Sequence, residues 1–155
     1  MTYAETTTVN SDKSRAEIER TLTRYGASSF MYGWNAESAQ IAFDMHGRRI
    51  RFRLPLPDKA DKSFTNTPTG KPRSAKAIED AYEQAVRQRW RALALVIKAK
   101  LEAVEAGITE FEEEFLAHIQ LPNGGTVGQF MLPQIEAAYS TGTMPPLLPA
   151  PGDNQ

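Results

Sequence analysis

Arg49, Arg51 and Arg53 recur at every second position of HGRRIRFRLPLPD (residues 46–58), with a large apolar residue between each pair. Side chains on a β-strand alternate between its two faces, so the guanidiniums share one face and Ile50, Phe52 and Leu54 share the other. The apolar face is explained by a core. The arginine face calls for an anionic partner or for solvent, and phosphate is the anion that a row of such cations neutralises best.

The basic character continues in RQRWRALALVIKAK, where Arg87, Arg91 and Lys98 return close to one line of a helix at steps of four and seven. Three loop lysines, Lys59, Lys62 and Lys71, are placed to close over the arginine strand. Cations for phosphates with aromatic rings nearby are what single-stranded nucleic acid requires. The competing reading leaves the strand arginines solvated, or pairs them with the acidic residues of 102–114 in the same chain or in a second copy. Trp90 lies on the apolar stripe of Tyr82, Val86, Leu93 and Ile97 and is expected in the core. Phe30, Tyr32 and Trp34 are assigned to the core on the same grounds.

Other constellations carry less. Glu114 and His118 stand four apart in EFEEEFLAHI, a spacing compatible with a divalent metal, but two ligands do not make a site. A solvated acidic face with a local Glu–His pair is the expectation, and His46 is assigned to a turn. No G-x-S-x-G, phosphate-binding glycine loop or His–Asp pair near a serine is present. No catalytic residue, metal or cofactor is therefore expected. A small enzyme with a carboxylate site hidden from sequence is the third alternative.

At 155 residues with no cysteine, the chain suits one domain without disulfides, which fits a reducing cytoplasm. Its apolar fraction of 41% and charged fraction of 24% are those of an ordinary globular protein. No apolar run is long enough to span a bilayer, and the polar N-terminus has no signal-like core, so a cytoplasmic protein without membrane contact is expected. The net charge of −1 conceals a polarity: residues 46–100 carry +9 and residues 101–155 carry −8, the latter without one Lys or Arg. Such asymmetry points to an anionic partner for the basic segment, or to charge-matched assembly.

The elements that must position these residues read as an α+β domain over 14–141. Residues 1–13 are polar and without periodicity and are expected to be disordered. Ser14 is placed as the cap of a short helix ending near Tyr25. SFMYGW, AQIAFDM and RRIRFRL follow as a three-stranded antiparallel meander, with His46-Gly47 as a two-residue turn. The proline-rich stretch 55–73 is expected to be a mobile loop. From Ala75 to Ala106 the chain predicts one long helix, capped by Ser74 and stopped at Gly107. Two shorter helices follow, one opened by a Thr109 box (TEFE), the other by Thr126 with Gln129 and interrupted by Pro133. The tail 142–155, with four prolines, is either an extended strap over an apolar groove or disordered.

At RYGASSFMYGW, GRRIRFRLPLPD, RQRWRALALVIKAKLEAVEAGITEFEEEFLAHI and MPPLLP the chain resembles a family of small uncharacterised proteins associated with bacteriophages and environmental bacterial genomes. The resemblance implies a phage or mobile-element setting, and transfers no functional residues. The expectation is a nucleic-acid-binding protein acting through Arg49, Arg51 and Arg53 with Arg87, Arg91 and Lys98, on single-stranded or structured DNA or RNA. The rival is an interaction module that forms a homo-oligomer or captures a host protein.

Overall fold

A computed structural model describes the backbone of residues 3–144 and the side chains of residues 12–144. Helix α1 (Tyr3–Arg24) leads into strands β1 (Ser29–Trp34), β2 (Ser38–Met45) and β3 (Arg48–Pro55). A one-turn helix α2 (Lys62–Thr65) precedes the long helix α3 (Ala75–Glu105). A further turn α4 (Phe111–Glu114), a 3₁₀ turn (Leu116–His118) and helix α5 (Val127–Thr141) complete an α+β fold.

The strands form an antiparallel sheet in the order β1-β2-β3. His46 and Gly47 close the second hairpin with φ of 52° and 73°, the two left-handed residues that a tight primed turn needs. That turn sets Met45 against Arg48 and Asp44 against Arg49, and so fixes the register of the whole pair. Ala39, Ile41, Phe43, Met45, Ile50 and Phe52 are all buried on the inner face. Ile18 and Leu22 of α1, and Val86, Trp90, Leu93, Ile97 and Leu101 of α3, pack over them in one core. Trp90 is core, as its place on the stripe predicts. Phe111, Phe115 and Ile119 close the end of the core, Phe115 meeting Phe43 and Phe52 edge-on at ring separations of 5.9 and 6.2 Å.

Helix α3 starts where Ser74 accepts a hydrogen bond from the Ala77 amide (3.2 Å) and stops before Gly107, whose φ is 76°. At 1.5 Å per residue it is about 46 Å long, more than three short strands can cover. Its first turns are covered instead by the segment after β3. Phe64 of α2 meets Tyr82 edge-on at 5.9 Å, and Lys59 pairs with Glu79 at 3.6 Å. Residues 55–73 are thus an ordered strap rather than the mobile loop expected. Asp58, Asp61 and Thr67 accept hydrogen bonds from the amides of Ala60, Ser63 and Lys71, which closes successive turns locally.

Two other expectations are corrected. Helix α1 begins at Tyr3 rather than Ser14, so residues 3–13, expected to be disordered, are helical; no proline or glycine interrupts them. The helix expected from Thr109 is broken into α4 and the 3₁₀ turn. Glu110, not Thr109, occupies the cap without a side-chain bond, and Ile119 is drawn out to bridge Ile50 of β3. By contrast, the Thr126–Gln129 box forms in full. The proline-rich tail from 145 onward lies outside the described residues.

Helix α5 is seated on the 3₁₀ turn through Gly128, where an added Cβ would stand 2.9 Å from the Ala117 carbonyl oxygen. Gly128→Ala should therefore cost about 1–3 kcal/mol, the range for forcing atoms into a filled contact. Urea unfolding checks this, and a midpoint equal to that of the parent would show that the seating is loose.

Candidate nucleic-acid interface

The outer face of the sheet is a grid set by strand register. Ser29, Asp44 and Arg49 form one row, Met31, Ala42 and Arg51 the next, and Gly33, Gln40 and Arg53 the third. The three arginines share this face, as the alternation requires, but they do not share one state.

Arg49 is held by a carboxylate. Its Nε and one terminal nitrogen donate to the two oxygens of Asp44 at 2.9 and 3.1 Å, and the Ser29 hydroxyl donates to Asp44 Oδ2 at 2.5 Å. The Arg49 and Ser29 hydrogen bonds hold the Asp44 carboxyl below its ordinary value of 3.8. A carboxyl whose pKa is lowered by folding contributes stability that is complete above its unfolded pKa and lost as pH falls through the folded one. Asp44→Asn should therefore flatten the decline in stability below about pH 4. By leaving Arg49 unneutralised it should also strengthen anion binding at neutral pH. Denaturation across acid pH and oligonucleotide titration check the two halves, and parent-like behaviour in both would contradict this role for Asp44.

Arg51 is held but not neutralised. Its two terminal nitrogens donate to the Gly124 carbonyl (2.8 Å) and to Gln129 Oε1 (3.0 Å), both uncharged acceptors. The same Gln129 oxygen accepts the Thr126 amide at 2.9 Å, so the cap of α5 also positions Arg51. Arg53 is exposed and has neither a hydrogen bond nor an ion pair among the described residues. Among the described residues Arg51 and Arg53 thus both lack an acidic partner, and they stand one strand repeat apart on the same face.

Next to them the sheet is shallow. Small side chains at Gly33 and Ala42, with Gln40, leave a concavity of about 360 Å³ bounded by Met31 and Trp34. Trp34 was expected in the core and is 72% exposed. It ends the edge strand β1, beyond the reach of α1 and α3, so the apolar alternation there continues past the covered part of the sheet. Phe30 and Tyr32 are half-buried and pack against the core, the Tyr32 ring 5.6 Å from Trp90.

The remaining sequence-predicted residues do not join this face. Arg87 and Arg91 line a groove with Lys13 between α1 and α3, the two helices that cover the inner side of the sheet. Arg87 is paired there with the buried Glu83 at 3.1 Å. Lys98 is exposed farther along α3. Lys59 lies over the Tyr82 ring at 5.6 Å, and the strap bearing the exposed Lys62 and Lys71 is pinned to α3 rather than laid across β3. Part of the acidic third neutralises the basic middle within the chain: Arg48 pairs with Glu112 and Lys100 with Glu114, each at 3.1 Å.

Glu114 and His118 do not form a pair of ligands. Glu114 is taken by Lys100, and His118 stacks on Phe52 with ring centroids 3.9 Å apart. Burial, followed by the nearby Lys100 charge, lowers the His118 pKa below its ordinary value. Among the described residues no helix is long and apolar enough to cross a membrane.

Sequence reading missed Asp44, Trp34, Gly124 and Gln129. Asp44 had a usable signal: a two-residue turn at 46–47 places positions 44 and 49 opposite each other. Gly124 and Gln129 are more than seventy residues from Arg51 and had none. Comparison with protein-family models, curated proteins and solved structures gave no match to the chain.

Proposed function

We propose that the protein binds single-stranded or structured nucleic acid across the outer face of its sheet. The observation that carries this reading is the juxtaposition of Arg51 and Arg53, neither with an acidic partner among the described residues, with a shallow concavity on the same face lined by Met31, Gly33, Gln40 and Ala42. The exposed Trp34, which alternates to the other face, reaches its rim from the end of the edge strand. The arginines supply phosphate contacts at a spacing fixed by the strand. Met31 offers apolar surface on this face and Trp34 a ring at its edge for an unstacked base, with Gln40 a donor and acceptor between them. A sheet that presents backbone contacts without an inserted helix suits binding with little sequence preference. Relative to the sequence reading, the site contracts to Arg51, Arg53, Gln40, Met31 and Trp34, while Arg87, Arg91 and Lys98 form a separate basic surface on the helical side. Anisotropy titration of labelled single-stranded and duplex oligonucleotides at low salt tests the proposal. Preferential single-strand binding supports it, and no binding to either overturns it.

A second reading, an interaction module, is favoured by a different observation. Helix α5 buries none of its residues and exposes Phe130, Leu132, Ile135 and Tyr139.

A further inference from the structure

Helix α5 carries one apolar stripe along its whole length. Gly128, Met131, Leu132, Ile135, Ala138 and Tyr139 follow three-four spacing, while Pro133, Glu136 and Ser140 fall away from it. The first turn of the stripe is seated, where Gly128 meets Ala117. Beyond that turn it is open among the described residues: Leu132 is 65%, Ile135 44% and Tyr139 85% exposed. A groove of about 460 Å³ runs along it, lined by Met131, Ile135, Ala138 and Tyr139, and by Met144 at the helix end. A helix of 15 residues with an internal proline is marginal in water without a cover.

The make-up of the stripe points to what covers it. The one charged residue of α5, Glu136, lies off the stripe, so two like faces meet without opposed charges. The stripe is also balanced about Ile135, with Met131 and Leu132 a turn before it and Ala138 and Tyr139 a turn after. An antiparallel copy therefore sets Met131 and Leu132 of one chain against Tyr139 and Ala138 of the other, on both sides of the axis at once. That self-complementarity is what a two-fold interface requires. The exposed area suffices as well. Roughly 100 Å² for each of Met131, Leu132, Ile135, Tyr139 and Met144 gives about 500 Å² per copy, or about 1,000 Å² in the pair, the lower bound for a specific interface.

We propose that the cover of α5 is a second copy of this chain, packed antiparallel on the stripe about a two-fold axis near Ile135. This names the partner of α5 and rests on its reading as an interaction surface. The pairing leaves the sheet face free. Gln129, which holds Arg51, lies off the stripe, so dimerisation and nucleic-acid binding are separate properties. An interface near the lower bound of area gives a monomer–dimer equilibrium that shifts with concentration.

The chain has no cysteine, so Ile135→Cys introduces a single thiol at the proposed axis, and Ser140→Cys a single exposed thiol off the stripe. Ile135 lies outside the core, so its replacement leaves global folding intact. The test combines three measurements: the mass of the full chain by light scattering over a wide range of concentration, the same series for Ile135→Asp, and mild oxidation of the two cysteine variants. The expected mass rises from one chain to two with concentration. Ile135→Asp, which would bury two like charges at the axis, weakens the dimer at least tenfold. Disulfide-linked dimers form at least tenfold faster through position 135 than through position 140. A single-chain mass at every concentration overturns the proposal, as does equal cross-linking at the two positions. Hydrogen exchange at the α5 amides then separates the two ideas. Fast exchange in a monomer leaves α5 open to a different partner, whereas slow exchange means that the chain covers α5 itself and the interaction reading falls too.

Discussion

Phe115→Ala is expected to lower stability by about 3–5 kcal/mol, the range for truncating a buried aromatic ring. Phe115 is fully buried and touches three other phenylalanines, with ring separations of 5.0 Å to Phe111, 5.9 Å to Phe43 and 6.2 Å to Phe52. Its ring joins the C-terminal segment to the sheet. Behind it the chain bridges β3, with the Gln120 amide donating to the Arg49 carbonyl at 2.8 Å. It then makes the turn whose Gly124 carbonyl holds Arg51. The loss should therefore appear twice: in the denaturation midpoint, and in weaker oligonucleotide binding under conditions where the variant is still folded. A loss below about 1 kcal/mol would mean that the segment is held elsewhere.

The second large effect concerns Trp34. Trp34→Ala should weaken binding of a single-stranded oligonucleotide by roughly 5- to 150-fold, the equivalent of about 1–3 kcal/mol for one stacked base. Stability should barely change, because the side chain is 72% exposed. Duplex binding, where the bases are already stacked on each other, should change far less. Titrating both oligonucleotides against the parent and the variant separates these effects. Equal affinity of the two proteins for single strands would remove Trp34 from the site.

The two halves of the fold were legible to different degrees. The sheet followed from period-two alternation together with the His46-Gly47 turn, and α3 followed from a long stripe without glycine or proline. The Thr126–Gln129 box was visible because both partners lie within one turn. What escaped depended on contacts between distant residues. The strap at 55–73 looks mobile by composition, and it is ordered by Phe64 reaching Tyr82, eighteen residues on. The helix expected from Thr109 is interrupted because Ile119 gains a bridge to β3 that its local sequence does not announce.

The candidate site was legible in its cations and not in their neutralisation. Alternation placed Arg49, Arg51 and Arg53 on one face, and the grid confirms that placement. Which of them remains available is decided by Asp44 across the hairpin and by neutral acceptors on the turn before α5 and at its start. Of the helical line, Arg87 and Arg91 share a groove, and Lys98 is exposed farther along α3. That line belongs to a helix packed against the other side of the sheet, which is why the two basic rows do not merge. Trp34 shows the limit of periodicity most clearly. Alternation tells which face a side chain takes, whereas burial also depends on how far the covering helices extend.

The measurement that tests the central claim most directly is the salt dependence of single-strand binding by the parent, by Arg51→Gln/Arg53→Gln and by Arg91→Gln/Lys98→Gln. Each phosphate contact on a single strand contributes about 0.7 to the slope of log affinity against log salt. The account predicts a slope shallower by about 1.4 for the sheet pair and an unchanged slope for the helix pair. A parent-like slope for the sheet pair, with the loss falling on the helix pair instead, would contradict it.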